Sequence, residues 1–413
     1  YTLSLHDALP ICPEKTPKHS FRLLFKDEYG DTKLRYPLFG TDAETALNAV
    51  VLRATYGNSW LHRSANEREH TTLLHDLWAK DTQLDMGHPA GHGRFVHLYI
   101  NGLYWGVYNP TERVDNEFAE EYLGGDEEEY DVIKDYGEVA DGEADAWNQL
   151  INLANEDLSV DANYYRLLGK SPDGTDNPDY EAYLDVVNFI DYMIIHLYGA
   201  NWDWDHHNWI AARNRVNPGK GFTFFSWDSE HILEDINSNI LDINHSGRPS
   251  EIFQNLRQNQ HFLRLFADRV QQHFYDGGAI TSDVAAQRIM ERANEIELAI
   301  IAESARWGDY RRDVHRDYPG GPFDLYTKEH WLAELAFLTD EYFPNRGDVF
   351  IDQLRDADLF PSFDAPVFHI NGEQLEGTDI QAGDTLSMSS PYGEIYYTVN
   401  GSDPAAGDEV SSD

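Results

Sequence analysis

The sequence predicts an α+β architecture: a β-rich N-terminal part, a mainly helical C-terminal lobe, and a truncated β-sandwich at the end. Three observations carry that expectation. Runs of aromatic and β-branched residues with a period of two dominate the first part, as half-buried strands require. After Asp228 apolar residues return at helical spacing over a long stretch. Beyond Leu359, Phe360 and Pro361 the helical period stops, and DAPVFHINGEQL, DTLSMSS and GEIYYTVNGSDP read as short strands with turn signals.

The bulk numbers narrow the function classes. A chain of 413 residues with 41% hydrophobic and 13% aromatic content can bury a large core. With 31 Lys+Arg against 73 Asp+Glu, the net charge of -42 would repel a phosphate backbone, so no nucleic-acid partner is expected. The acidity suits a salty or extracellular setting. The one cysteine, Cys12, excludes an intramolecular disulfide framework and a cysteine metal cluster. No run approaches the roughly 18 apolar residues of a membrane span. The opening YTLSLHDALPIC does not match the pattern of the remaining chain and reads as a translated sequencing adapter. Residues 1–12 are therefore set aside, residues 13–360 are taken as one catalytic domain, and residues 361–413 as the partial sandwich.

In chain order, KHSFRLLFKDEYG reads as a strand closed by Gly30 and Asp31, and TKLRYPLF as a second. Thr41 caps a short segment leading into VVLRATYG. Residues 58–81 read as mostly helical, with Leu73, Leu74 and Leu77 on one side. Residues 94–108 form the clearest hairpin, because Asn101-Gly102 is the dipeptide a type I′ turn favours. Asn109 or Asp115 then caps a helix that Gly124 or Gly125 ends. The acidic residues 125–145 read as a solvated loop with one short strand, YDVIK. A helix over residues 180–198 buries Tyr183, Leu184, Val187, Ile190, Ile194 and Leu197. Further helices are expected over 260–275, 282–306 and 327–342.

The chemistry gathers in residues 201–228. NWIAAR and FTFFSWD are two apolar runs separated by NRVNPGKG, whose Asn, Pro and Gly make a turn. Paired as a hairpin, they bring Asn208 beside Asp228. An amide oxygen and a carboxylate are hard ligands that suit Mg²⁺ or Mn²⁺, ions that complete their shell with water and phosphate oxygens. Asp203, five residues before Asn208, suits the base or orienter of an incoming hydroxyl. The order Asp, four residues, Asn, hairpin, Asp parallels the catalytic loop and metal-binding Asp of protein kinases.

KHSFRLLF, INGLYWGVYNPTERVDNEF, NWDWDHHNW and GKGFTFFSWD together resemble the CotH kinase family, the atypical secreted kinases of the spore coat protein H type. The resemblance spans about residues 18–235, and its most specific segment is N-G-x-Y-x-G-x-Y-x-x-x-E. It implies an atypical protein-kinase-like fold that uses ATP and Mg²⁺ or Mn²⁺ to phosphorylate Ser/Thr hydroxyls of secreted or surface proteins. Carried over, Asp203 is the catalytic Asp, Asn208 and Asp228 hold the metal, and Lys18 or Arg22 faces the phosphates, with Glu112 as a further site carboxylate. Glu230 stands where the family often has the second Asp of W-D-x-D, and the N-terminal strand that a basic, Gly-containing loop normally precedes is cut short by the adapter-like opening. The tail GEIYYTVNGSDP resembles the chitobiase C-terminal type of β-sandwich module, which implies export to the cell surface or beyond and a glycan as a partner.

Blander readings stand beside these. Asp203 and Asp205 also fit plain loop acids after a helix, and with His206 and His207 they also fit a Zn²⁺ site. Glu112 also fits the acid of a helix first turn. Lys18, Arg22 and Lys26 share one strand face, which also suits a solvated edge. Trp202, Trp204, Trp209 and Trp227 suit walls and core, or a stack on a base. A catalytically inactive surface, adhesion or glycan-binding protein that keeps the fold is the rival for the whole chain, and a metal-dependent hydrolase is a third reading.

Overall fold

The computed structural model describes residues 2–4, 16–40, 43–315, 323–374 and 380–398; the Thr41 cap and Cys12 lie outside them. The chain divides into two compact units, residues 1–353 and 354–413. The first begins with β1 (Thr2–Ser4), β2 (Phe21–Leu24), the two-residue β3 (Leu34–Arg35) and β4 (Ala46–Leu47), β5 (Ala49–Arg53), β6 (Val96–Ile100) and β7 (Leu103–Thr111). β1, β2, β5, β7 and β6 lie side by side in that order, every pair antiparallel. At the tip of β6 and β7, Asn101 and Gly102 take φ of 51° and 79°. Positive φ at both positions is the type I′ turn the dipeptide predicts. On β5, Val50 and Leu52 sink into an apolar cluster with Leu47, Ala54 and Tyr108. Alternation along the strand sends Arg53 to the other face.

Residues 58–81 are not one helical run. They hold α1 (Ala65–Glu69), a bend, and the start of α2 (His75–Asp85). Asn58 Oδ1 accepts from Thr72 N, Thr72 Oγ1 and Leu73 N at 3.2, 2.9 and 2.7 Å, and Leu73 takes φ of 69°. A side chain that satisfies backbone amides in this way competes with the helix for them. α3 (Asn116–Leu123) follows expectation: Asp115 accepts from Phe118 N at 3.2 Å, and Gly124 closes the helix.

The second sheet has β8 (Tyr130–Lys134), β9 (Glu138–Asp141), β10 (Trp209–Asn214) and β11 (Thr223–Ser226), ordered β11, β10, β8, β9. YDVIK is β8. The stretch after it, read as loop, supplies β9 as its antiparallel partner. Val132, Ile210, Ala212 and Phe225 pack against Val114 and Phe118 on one face.

Between the two hairpins of this sheet come α4 (Asp145–Ala154), α5 (Asp161–Leu167), α6 (Val186–Tyr198) and the single turn α7 (Trp204–His207). α6 starts at Val186 rather than residue 180 because the residues before it are held in extended form: Phe222 N donates to Tyr183 O at 3.0 Å and Asp185 N to Phe222 O at 3.1 Å. Gly221 permits this approach, since a Cβ there would stand 2.2 Å from Leu184 N. Asp185 then caps the helix at Asn188 N.

β11 ends the sheet, and its outer edge is covered by α2 and α6. Asn188 Nδ2 donates to Phe224 O at 3.1 Å and Phe224 N to Asn188 Oδ1 at 2.6 Å. Gln83 Nε2 donates to Phe224 O and Ser226 N to Gln83 Oε1, both at 2.6 Å. Two buried amides thus replace a neighbouring strand.

The helical lobe contains α8 (Pro249–Leu256), α9 (Gln260–Phe274), α10 (Ser282–Ile296), α11 (Ala299–Trp307), α12 (Lys328–Phe337) and α13 (Phe343–Asp356). The helix expected over 282–306 is two helices, broken at Glu297 and Leu298, and π-helical turns occupy Tyr310–Val314 and Leu338–Tyr342. In the second unit, β12 (Val367–Ile370) is flanked by β13 (Glu373–Gln374) and β14 (Leu386–Ser389), both antiparallel to it. Of the strand expected in GEIYYTVNGSDP, residues 393–398 show a single β-bridge at Tyr397, and the rest lies outside the described residues. No helix among the described residues is long and apolar enough to cross a membrane.

Candidate active site

The site grows from three local features. α6 ends at Gly199, and Asn201 turns the chain back onto it: Asn201 N donates to His196 O at 3.0 Å, and its amide meets His196 Nδ1 at 3.1 Å. Burial holds the His196 pKa down to about 3, so the ring stays neutral there. Asn201 Oδ1 in turn accepts from Asp203 N at 3.3 Å. α7 then carries the chain one turn to Asn208, whose Nδ2 donates to Asp203 Oδ2 at 3.2 Å. Asn208 is 3% exposed, yet its Oδ1 is buried without a hydrogen-bond partner.

β10 and β11 form the expected hairpin, with Trp209 opposite Ser226. Asn208 therefore begins one arm, and Asp228 lies two residues past the end of the other. Asp228 has φ of 54°, the left-handed region, which turns its carboxylate out of the strand. Burial raises the Asp203 pKa; His207, His231 and His206 lower it, and the charge of Asp228 adds to the rise. The two carboxylates thus lie close enough to repel.

Opposite Asp228 is Arg53, at the end of β5. Its guanidinium bonds to Asp228 and to Glu230 at 2.7 Å, and its Nε lies 3.4 Å from Asp76 on α2. Asp76 also accepts from Lys80 Nζ at 2.8 Å and from Ser229 N at 2.9 Å. Burial works against the charge on Asp76, but Arg53 and Lys80 overcome it and hold its pKa at about 2. Glu230 shifts the other way, raised by burial first and by Asp228 second. Arg53 and Lys80 stand 5.8 and 5.5 Å from the Trp227 ring. The cluster sets three carboxylates against two cations, a negative excess in a buried place.

Asp203, Asn208 and Asp228 are thus gathered around one hairpin. No hydrogen bond or ion pair among the described residues joins Lys18 or Glu112 to those three. Lys18, 1% exposed, gives its ammonium to Glu303 at 2.6 Å. Glu112 precedes α3 rather than lying in its first turn; it accepts from His92 N, His92 Nδ1 and Tyr122 Oη, each at 2.8 Å. Arg22, on β2, is partly buried, and its pKa is lowered by burial and then by Arg113. The cation at Asp228 is Arg53, which sequence reasoning passed over together with Asp76 and Lys80. Its signal was a single base closing the apolar run VVLR.

The remaining residues of the Trp-rich loop separate into distinct roles. Trp204 and Trp209 are core, Trp202 is 51% exposed, and Trp227 is partly covered. Asp205 turns away from Asp203 and accepts from Ser250 N, Ser250 Oγ and His245 Nδ1 at 2.8, 2.7 and 2.5 Å.

The donors fit a hard divalent cation. Asn208 offers an orphaned amide oxygen, Asp228 a carboxylate, and the local charge is negative. No curated protein matches the chain. A model of the CotH kinase protein family matches residues 13–346. That span covers most of the sequence and includes every residue of the site, so the chain belongs to the CotH kinase family.

Proposed function

We propose that the chain is an atypical protein kinase that moves the γ-phosphoryl group of ATP to a Ser or Thr hydroxyl of a secreted or surface protein. Asp203 accepts the proton of the incoming hydroxyl, and its raised pKa suits a base better than a fully solvated carboxylate would. Asn208 holds Asp203 in place through its amide nitrogen, and its oxygen, with Asp228, would hold Mg²⁺ or Mn²⁺. The metal, when bound, neutralises charge on the phosphoryl oxygens. Arg53 and Asp76 pair a strand base with a helix acid, as the Lys and Glu of protein kinases do, and fix α2 against the sheet. Rate would come from positioning and charge rather than covalent chemistry.

The observation that carries this reading is the buried, unpartnered Oδ1 of Asn208, bonded through its nitrogen to Asp203 and placed at the hairpin end shared with Asp228. A buried polar atom left without a partner calls for an explanation, and beside Asp203 and Asp228 a bound cation supplies one. Asp228→Asn keeps the size of the side chain and its tolerance of positive φ, so the fold should persist. Mg²⁺-dependent ATP turnover should drop to background, read as ADP release alongside a thermal melt. Turnover at the wild-type rate in a folded Asp228→Asn protein would rule out the assignment.

A further inference from the structure

We propose that Asp203, His206 and His207 form a binding site for Zn²⁺ or a similar borderline divalent cation, and that an ion there occupies the Asp203 carboxylate. The second consequence, loss of Asp203 as a base, rests on the phosphotransfer reading; the binding site itself does not.

The three residues lie at i, i+3 and i+4 around the single turn of α7, the spacing that stacks side chains on one face. Their ligand atoms all fall within 4.8 Å of one another. His206 Nε2 is 3.4 Å from Asp203 Oδ1, and His207 Nε2 is 3.6 Å from Asp203 Oδ2. Those separations are too long for hydrogen bonds. Each imidazole faces its own oxygen of the carboxylate, a little beyond the roughly 3.3 Å between neighbouring ligand atoms of a tetrahedral shell with bonds of about 2.0–2.1 Å, so a small rotation of the carboxylate would bring one oxygen and both nitrogens to an ion.

A second His-carboxylate group shows the contrast. His231 Nδ1 lies 2.7 Å from Glu67 Oε2, a closed hydrogen-bonded ion pair with Glu234 at 3.7 Å. There the histidine already has its partner. At α7 neither histidine Nε2 has so short a bond to the carboxylate.

The far side of His207 adds an independent sign. Its Nδ1 is buried without a hydrogen-bond partner, and so is Asp135 Oδ1. Asp135 is near enough to feel the charge of His207. The Tyr136 ring stacks on the imidazole with centroids 6.4 Å apart and planes at 18°. His207 and Asp135 are not hydrogen-bonded to each other here; a carboxylate that takes the second N–H of a ligating imidazole is the usual support of a metal-bound histidine, and Asp135 is the carboxylate at hand. Both histidine side chains are 36% exposed, which leaves the ion a path from solvent. Two imidazoles and one carboxylate favour Zn²⁺ over Mg²⁺, which takes oxygen donors, so the two ions would not compete on equal terms. With three protein ligands, one position stays open to water.

The test is a calorimetric Zn²⁺ titration of the full chain after chelator treatment, with Mg²⁺ in excess. Wild type should bind one ion per chain. His206→Gln combined with His207→Gln should abolish that event, as should Asp203→Asn, while both proteins melt as wild type does. Asp135→Asn should weaken binding about tenfold. Glu67→Gln, at the other cluster, should leave it unchanged. Co²⁺ in place of Zn²⁺ should show the visible bands of a tetrahedral site in wild type and lose them in the double variant. Unchanged Zn²⁺ affinity in the double-histidine variant, or in Asp203→Asn, would overturn the proposal, as would loss in Glu67→Gln. If Zn²⁺ fails to bind while Mg²⁺-dependent ATP turnover persists, this inference alone falls. If Zn²⁺ binds as described and no turnover exists, the phosphotransfer reading falls and the metal site stands.

Discussion

Arg53 is the residue on which the candidate site depends most. Its one guanidinium serves Asp76, Asp228 and Glu230, all buried. Taking the cation away strands those charges in a place where water cannot replace it. Arg53→Met should therefore cost about 3–5 kcal/mol of unfolding free energy at neutral pH, the range for breaking a buried ion pair by removing one partner. Denaturant unfolding followed by Trp fluorescence reads this directly. A loss below about 1 kcal/mol, the scale of solvent-exposed pairs, would mean the cluster is wetter than the structure shows. Asp228 adds a backbone requirement at the same place. Its φ of 54° is tolerated best by Asn, Asp and Gly, so a β-branched residue would disturb the turn as well as the chemistry.

At the scale of elements, the outer edge of β11 decides where Asp228 stands. Gln83 on α2 and Asn188 on α6 supply the hydrogen bonds that a further strand would otherwise make, and both amides are fully buried. Gln83→Leu leaves Ser226 N without its acceptor in an apolar setting, at a cost of about 1–3 kcal/mol. Because Asp228 follows Ser226 by two residues, ATP turnover should also fall in a variant that is still folded. A Gln83→Leu protein with wild-type stability would show that water or another group can take over that edge. The same elements show which boundaries were legible. Asn101-Gly102 and Asp115 announced a turn and a cap because their side chains and conformational freedom act locally. The start of α6 was hidden because its first turn loses to a bond between Tyr183 and Phe222, far apart in sequence. β9 was hidden because Glu138 and Val139 are exposed and carry no apolar alternation.

For the whole molecule, the excess of acids sets the solution behaviour. A net charge of -42 spread over the chain repels itself, and salt shortens the reach of that repulsion, to about 10 Å at 0.1 M. Thermal stability should rise as NaCl is raised from very low ionic strength to about 0.1 M, where the screening length nears the spacing of surface charges. A melting temperature that stays flat or falls would show that favourable surface pairs outweigh the repulsion. The ion pair of the buried Asp191 with the partly buried Arg269 should contribute less to that change than solvent-exposed pairs do, since salt screens it less.

By itself the sequence determined the α+β class and the hairpin, and it singled out Asp203, Asn208 and Asp228 around that hairpin as the candidate trio. Those readings rest on local physics: turn preference, side-chain period, and the fact that the two ends of a hairpin meet. Only the tertiary structure decided the cations and the spare ligands. It closed Lys18 onto Glu303, brought Arg53 and Asp76 to Asp228, turned Asp205 toward Ser250, and left Asn208 Oδ1 without a partner. The physical reason is that a charged side chain is paired by whatever packs against it, and which elements pack together depends on contacts across more than a hundred residues of chain, as between Arg53 and Asp228.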